Sequence, residues 1–82
     1  MTCKYQLTIT AKCPRDESLT DVYEMTVVAA DMIAVEEILG AVAQETTDPI
    51  YQEPLAENLA RLLDADVTLV GTHSGVSVEV IA

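Results

Sequence analysis

The stretch Cys3-Lys4-Tyr5-Gln6-Leu7-Thr8-Ile9-Thr10-Ala11-Lys12-Cys13 alternates without a break, with Cys3, Tyr5, Leu7, Ile9, Ala11 and Cys13 on one side and Lys4, Gln6, Thr8, Thr10 and Lys12 on the other. Successive side chains of an extended chain point to opposite faces, so this stretch predicts a strand with one buried and one wet face. Pro14 has no N–H to give to a ladder and ends it. Asp16, Glu17 and Ser18 then supply a polar turn. The alternation resumes from about Asp21 to Ala29, where Tyr23, Met25, Val27 and Ala29 are set against Glu24, Thr26 and Val28. Two such runs joined by a short polar turn predict a hairpin.

Beyond the hairpin the period changes. Met32, Val35, Ile38, Leu39 and Val42 follow helical spacing after Asp31, a residue suited to cap a helix, and Glu36 and Glu37 sit early, where the helix dipole favours negative charge. Gln44 to Glu53, with Thr46, Thr47, Asp48 and Pro49, keeps no period and reads as a loop between helices. Pro54 suits the first position of a second helix, with Glu53 at its boundary, Leu55, Leu59, Leu62 and Leu63 as its apolar stripe, and an end near Asp64. Val67 to Val70 and Val76 to Ile81 then read as two strands around a turn from Gly71 to Gly75. The expected fold is α+β: an antiparallel sheet in ββααββ order with the two helices packed on one face.

An 82-residue chain has room for one domain, so residues 1–82 are read as one unit. Half of the residues are apolar, but there is no Phe or Trp and only three Tyr, which leaves Val, Ile, Leu, Ala and Met to fill the core. So thin a core gains from apolar contacts at a subunit interface, and a homo-oligomer is expected. Fourteen acidic against four basic side chains give a formal charge of -10. That charge repels phosphate backbones and anionic lipid surfaces, so neither direct nucleic-acid binding nor membrane binding is expected. The acidic surface reads as solubilising, or as the working face of a non-catalytic inhibitor of a basic or nucleic-acid-binding partner. Cys3 and Cys13 belong to no CxxC or Cys/His cluster, no leader pattern is visible, and the longest apolar run is short of a membrane span. A cytoplasmic protein with reduced thiols is the expectation.

Three local segments, taken with the ββααββ order, carry a resemblance to the tunnelling-fold family. Cys13-Pro14 followed by Asp21 resembles the strand-end segment of the 7-cyano-7-deazaguanine reductases, in which a nucleophilic Cys-Pro precedes an aspartate. Tyr51-Gln52-Glu53 resembles the segment in which a glutamate anchors the heterocycle, and Val67 to Val80, with Gly71, Gly75 and Val76, resembles the closing hairpin. The resemblance implies a homo-oligomer that binds a purine-, deazapurine- or pterin-like ring at subunit interfaces. It does not imply the family's cofactors. Where the reductases carry a lysine- and serine-rich NADPH motif, this chain has Val35-Glu36-Glu37-Ile38-Leu39-Gly40, whose carboxylates would repel a cofactor phosphate. The zinc ligands of the GTP cyclohydrolase I and pyruvoyl-pterin branches are missing too, because His73 is the only histidine. No cofactor and no metal are expected. Lysine chemistry of the pterin aldolase kind has no counterpart, since Lys4 and Lys12 stand on the first strand.

The residues that could act are few, and each has a plainer reading beside the functional one. Cys13 could attack an electrophilic carbon as thiolate, with Asp21 as the acid that protonates the product. Equally, Cys13 fits as a small apolar residue of a strand and Asp21 as a turn residue. Glu53 is suited to a guanine-like edge, because one carboxylate accepts from a ring N–H and an exocyclic amine together; it also suits the start of a helix electrostatically. His73 could exchange a proton with a substrate or simply be solvated in a turn. Tyr23 and Tyr51 could stack on a ring or belong to the core or an interface. The candidate catalytic residues are thus Cys13, Asp21 and His73, and the candidate ring-binding residues are Glu53, Tyr51 and Tyr23.

Overall fold

The computed structural model describes residues 1–82. β1 (Cys3–Cys13) and β2 (Asp16–Ala29) pair antiparallel, followed by α1 (Val35–Glu45), α2 (Gln52–Leu63), β3 (Asp66–His73) and β4 (Val76–Ile81). The four strands make one antiparallel sheet in the order β1-β2-β3-β4. The fold is α+β in ββααββ order, and its shape is compatible with a ferredoxin-like or a tunnelling-fold arrangement. No helix is long and apolar enough to cross a membrane.

The alternation of β1 and β2 has its physical cause in a single covered face. Ile9, Ala11, Tyr23, Met25, Val27, Val67 and Leu69 from the sheet are buried with Ile38 of α1 and Leu55, Ala56, Leu59 and Leu63 of α2 in one cluster. With no Phe or Trp in the chain, Tyr23 is the largest fully buried side chain. The opposite face carries the other register: Thr8 donates its hydroxyl to the Glu24 carboxylate at 2.9 and 3.0 Å across the β1–β2 ladder. Of the apolar stripe expected on α1 only Ile38 is buried, while Met32, Val35 and Leu39 stand in solvent and Val42 is half-buried.

The starts of β2, α1 and α2 and the end of β3 differ from expectation, each for a local reason. β2 starts at Asp16, not Asp21, because the Asp16 carboxylate accepts both the backbone N–H (3.0 Å) and the hydroxyl (2.6 Å) of Ser18, which turns the chain tightly after Pro14. The register then shifts between Lys12↔Thr20 and Cys13↔Asp16, leaving Glu17, Ser18 and Leu19 without partners on β1 as a bulge. Asp31 does not cap α1. The Tyr5 hydroxyl accepts the backbone N–H of Ile33 at 2.9 Å and holds this segment extended, so the helix starts after Ala34, which offers no side-chain cap.

α2 starts at Gln52, with Tyr51 at its cap position and Pro54 inside the first turn, where a missing N–H costs nothing because that turn has no intrahelical acceptors. It ends at Asp64 in the left-handed conformation (φ 49°), whose N–H returns to the carbonyls of Ala60 and Arg61. The expected five-residue turn after β3 shrinks to Ser74-Gly75, both at positive φ (51° and 82°), the backbone of a tight two-residue hairpin. Gly71, Thr72 and His73 are therefore strand residues. Gly71 sits in the ladder opposite Tyr23 because the ring needs the space: a Cβ there would lie 2.5 Å from Tyr23 Cδ1.

Candidate functional site

At the end of the sheet that holds both hairpin turns, the chain leaves a cleft of about 540 Å³. β1 and β2 bring Cys13, Asp21 and Tyr23 to it, the start of α2 brings Tyr51 and Glu53, and the end of β3 brings His73. All six residues singled out from the sequence thus line one cavity. Its position follows from the chain path. The backbone N–H of Ile50 donates to the Lys12 carbonyl at 3.2 Å, which fixes the entry of α2 against the end of β1. Tyr51 is half exposed.

The side chains divide into a fixed group and a free group. Tyr23, Asp21, His73 and Gln52 form a connected row. The Tyr23 hydroxyl donates to Asp21 Oδ2 at 3.4 Å, Asp21 Oδ1 stands 3.6 Å from His73 Nδ1, and His73 Nε2 meets Gln52 Oε1 at 2.9 Å. The Tyr23 and His73 rings are tilted by 53° with centroids 5.8 Å apart. Gln52 was not read as a site residue from the sequence, yet it is the one buried polar side chain of the protein. Its Nε2 donates to the carbonyls of Leu69 and Val78, both at 2.9 Å, joining the start of α2 to β3 and β4. A signal for it exists in the sequence: Gln52 lies in helical phase with Leu55, Ala56, Leu59 and Leu63, so it belongs to the stripe that faces the sheet.

Cys13, Glu53 and Arg15 form the free group. No hydrogen bond joins Cys13 to His73 or Asp21, so the thiol has no imidazole partner to activate it. Glu53 is exposed at the mouth, and Arg15, from the β1–β2 turn, is a lining residue with no ion-pair partner. No group of three or more His, Cys, Asp or Glu side chains is arranged to hold a metal ion.

Two carboxylates, Asp21 and Glu53, and one guanidinium, Arg15, line the cleft. Burial, the Asp21 carboxylate beside it, and more weakly Cys13 and Glu53 hold the Tyr23 phenol well above its usual value of 10.0. A phenol whose folded-state value is raised contributes stability that is fully present below the unfolded value and is lost as the pH rises through the window above 10. Urea midpoints taken from about pH 9 to about pH 11 should therefore fall, and Tyr23→Phe should flatten that fall. An equal fall in both proteins would show that Tyr23 does not cause it.

Compared with family models, with curated proteins and with solved structures, the chain matches none.

Proposed function

We propose that the cleft binds a flat nitrogen heterocycle of the purine, deazapurine or pterin kind, with Glu53 as the anchor of its donor edge. The observation that carries this reading is the convergence of Glu53, Tyr51 and Asp21 on one cavity of about 540 Å³, within the usual size of a small-molecule site. The chemistry is complementary. A carboxylate accepts a ring N–H and an exocyclic amine as a charge-assisted pair. The first turn of α2 has no side-chain cap, which leaves backbone N–H groups to meet a ring carbonyl beside Glu53. Tyr51 supplies a half-exposed aromatic surface for stacking.

The same reading makes the protein a homo-oligomer with the ring at a subunit boundary. Both β1 and β4 are edge strands, and Leu19, Val22, Tyr51, Val76 and Ile81 are exposed apolar side chains on or near the cleft and the strands. Covalent chemistry at Cys13 would require a substrate reactive enough to be attacked without a neighbouring imidazole.

Thermal-shift measurements with guanine, neopterin, biopterin and 7-cyano-7-deazaguanine should show stabilisation by at least one of them, because a ligand selective for the native state raises its stability. Glu53→Ala should weaken binding of that ligand by about tenfold or more while leaving the fold intact. Unchanged affinity would remove Glu53 from the role. The absence of any shift, together with capture of a basic partner, would favour the acidic inhibitor instead.

A further inference from the structure

We propose that Gln52 locks His73 in the Nε2–H tautomer, and that His73 Nδ1 and Asp21 thereby form a two-acceptor corner of the cleft that takes an amidine- or aminopyrimidine-type N–H₂ group of the ligand. The inference rests on reading the cleft as a ligand site; in a ring with a single amino group that group turns inward to this corner, and Glu53 keeps the ring N–H.

The lock follows from the hydrogen-bond inventory. Both carbonyls that Gln52 meets, Leu69 and Val78 at 2.9 Å, are acceptors only, so the side-chain atom facing them must be the donating amide nitrogen. The flipped amide would set Oε1 against two carbonyl oxygens and is excluded. Gln52 is 3 % exposed and cannot rotate to find another partner. Its Oε1, an acceptor, is thereby fixed at 2.9 Å from His73 Nε2, and the imidazole must supply the proton at that nitrogen.

In the neutral ring the other nitrogen, Nδ1, then carries a lone pair. Asp21 Oδ1 stands 3.6 Å from it, too far for a direct hydrogen bond, and both line the cleft. Tyr23 is bonded to the other carboxylate oxygen of Asp21, which leaves Oδ1 as the one turned to the ring. Two acceptors side by side repel one another until a donor enters between them. An amino group, with two N–H bonds to direct, satisfies both, whereas a carbonyl or ether edge satisfies neither. Gln52 is a positioning residue in this scheme: it touches no ligand and acts by deciding which ring nitrogen is bare.

The test uses nitrogen NMR of the ligand-free protein at a pH where the imidazole is neutral, followed by titration with acetamidinium, a planar ion with two N–H₂ groups. Tetramethylammonium, which has the same charge and no N–H, is the control. The expected spectrum shows His73 Nε2 protonated and Nδ1 bare, and acetamidinium moves the Nδ1 resonance at least tenfold more strongly than the control does at equal concentration. A protonated Nδ1 or an averaged pair of nitrogens overturns the lock. Equal responses to the two ions overturn the corner.

Gln52→Met keeps the volume and removes the acceptor, so the Nε2–H share of His73 should fall toward that of a solvated histidine; an unchanged share in the folded variant also overturns the lock. The spectrum of the unaltered protein decides the tautomer whether or not that variant folds. Because neither ion contains a ring, failure of the heterocycle panel leaves this result standing, and failure here leaves Glu53 testable by the panel.

Discussion

Gly71→Ala should destabilise the protein by about 3 kcal/mol, the upper end of what one inserted methyl costs in a packed interior. The new Cβ would lie 2.5 Å from Cδ1 and 2.7 Å from Cε1 of Tyr23, and 3.2 Å from the Val22 carbonyl oxygen. None of these atoms can withdraw cheaply. Tyr23 is fully buried, and the Val22 carbonyl belongs to the strand beside it. A domain of this size has roughly 0.05–0.15 kcal/mol of stability per residue, so a loss of that order is a large share of the whole. Urea denaturation of the variant reads the effect directly. Tyr23→Leu in the same chain should recover part of it, giving a coupling energy of about 1 kcal/mol or more in a double-mutant cycle. Additive losses would show that the cost lies in the backbone at Gly71 and not in its contact with the ring.

Gln52→Leu should cost about 2–3 kcal/mol in the same assay, although leucine fills nearly the same space. The magnitude depends on what the two carbonyls already have. Val67 and Ala82 exchange both backbone hydrogen bonds (3.1 and 2.8 Å), and antiparallel pairs alternate, so Leu69↔Val80 and Gly71↔Val78 are also hydrogen-bonded pairs. The Leu69 and Val78 carbonyls therefore each keep a ladder partner when Gln52 is lost. What disappears is a second bond to each, worth about 1 kcal/mol apiece, and the acceptor of His73 Nε2. A loss below about 1 kcal/mol would mean that water reaches these carbonyls readily.

The order of elements was legible because each strand and helix has a period of its own. Cys3–Cys13 alternates along its whole length and forms a strand over that whole length. The boundaries were harder because side chains from elsewhere set them. Asp31 looks like a cap, but the Tyr5 hydroxyl, distant in sequence, takes the Ile33 N–H and delays the helix. Gly71 looks like a turn residue, but its freedom from a Cβ serves the Tyr23 ring across the ladder.

The candidate site divides in the same way. Cys13, Asp21, Tyr23, Tyr51, Glu53 and His73 could be picked out by residue type and by resemblance, and they line one cleft. Gln52 could not be picked out by type, because a glutamine in the first turn of a helix is ordinarily solvated. Only its helical phase with Leu55, Ala56, Leu59 and Leu63 marks it as facing the sheet, and its weight comes from the two strand carbonyls it meets there.

The sheet order β1-β2-β3-β4 also governs how the chain finds its fold. β1 with β2 and β3 with β4 are hairpins that close over short turns, so two of the sheet's three strand pairings are local and quick to form. Only β2 with β3 must close across the two helices. That single closure sets the pace of folding, and because its entropy grows only with the logarithm of the intervening length, added residues between the helices would slow it little. Evolution therefore has room to lengthen the segment that leads into Tyr51 and Glu53, and so to reshape the mouth of the cleft, without placing the kinetics of the fold at risk.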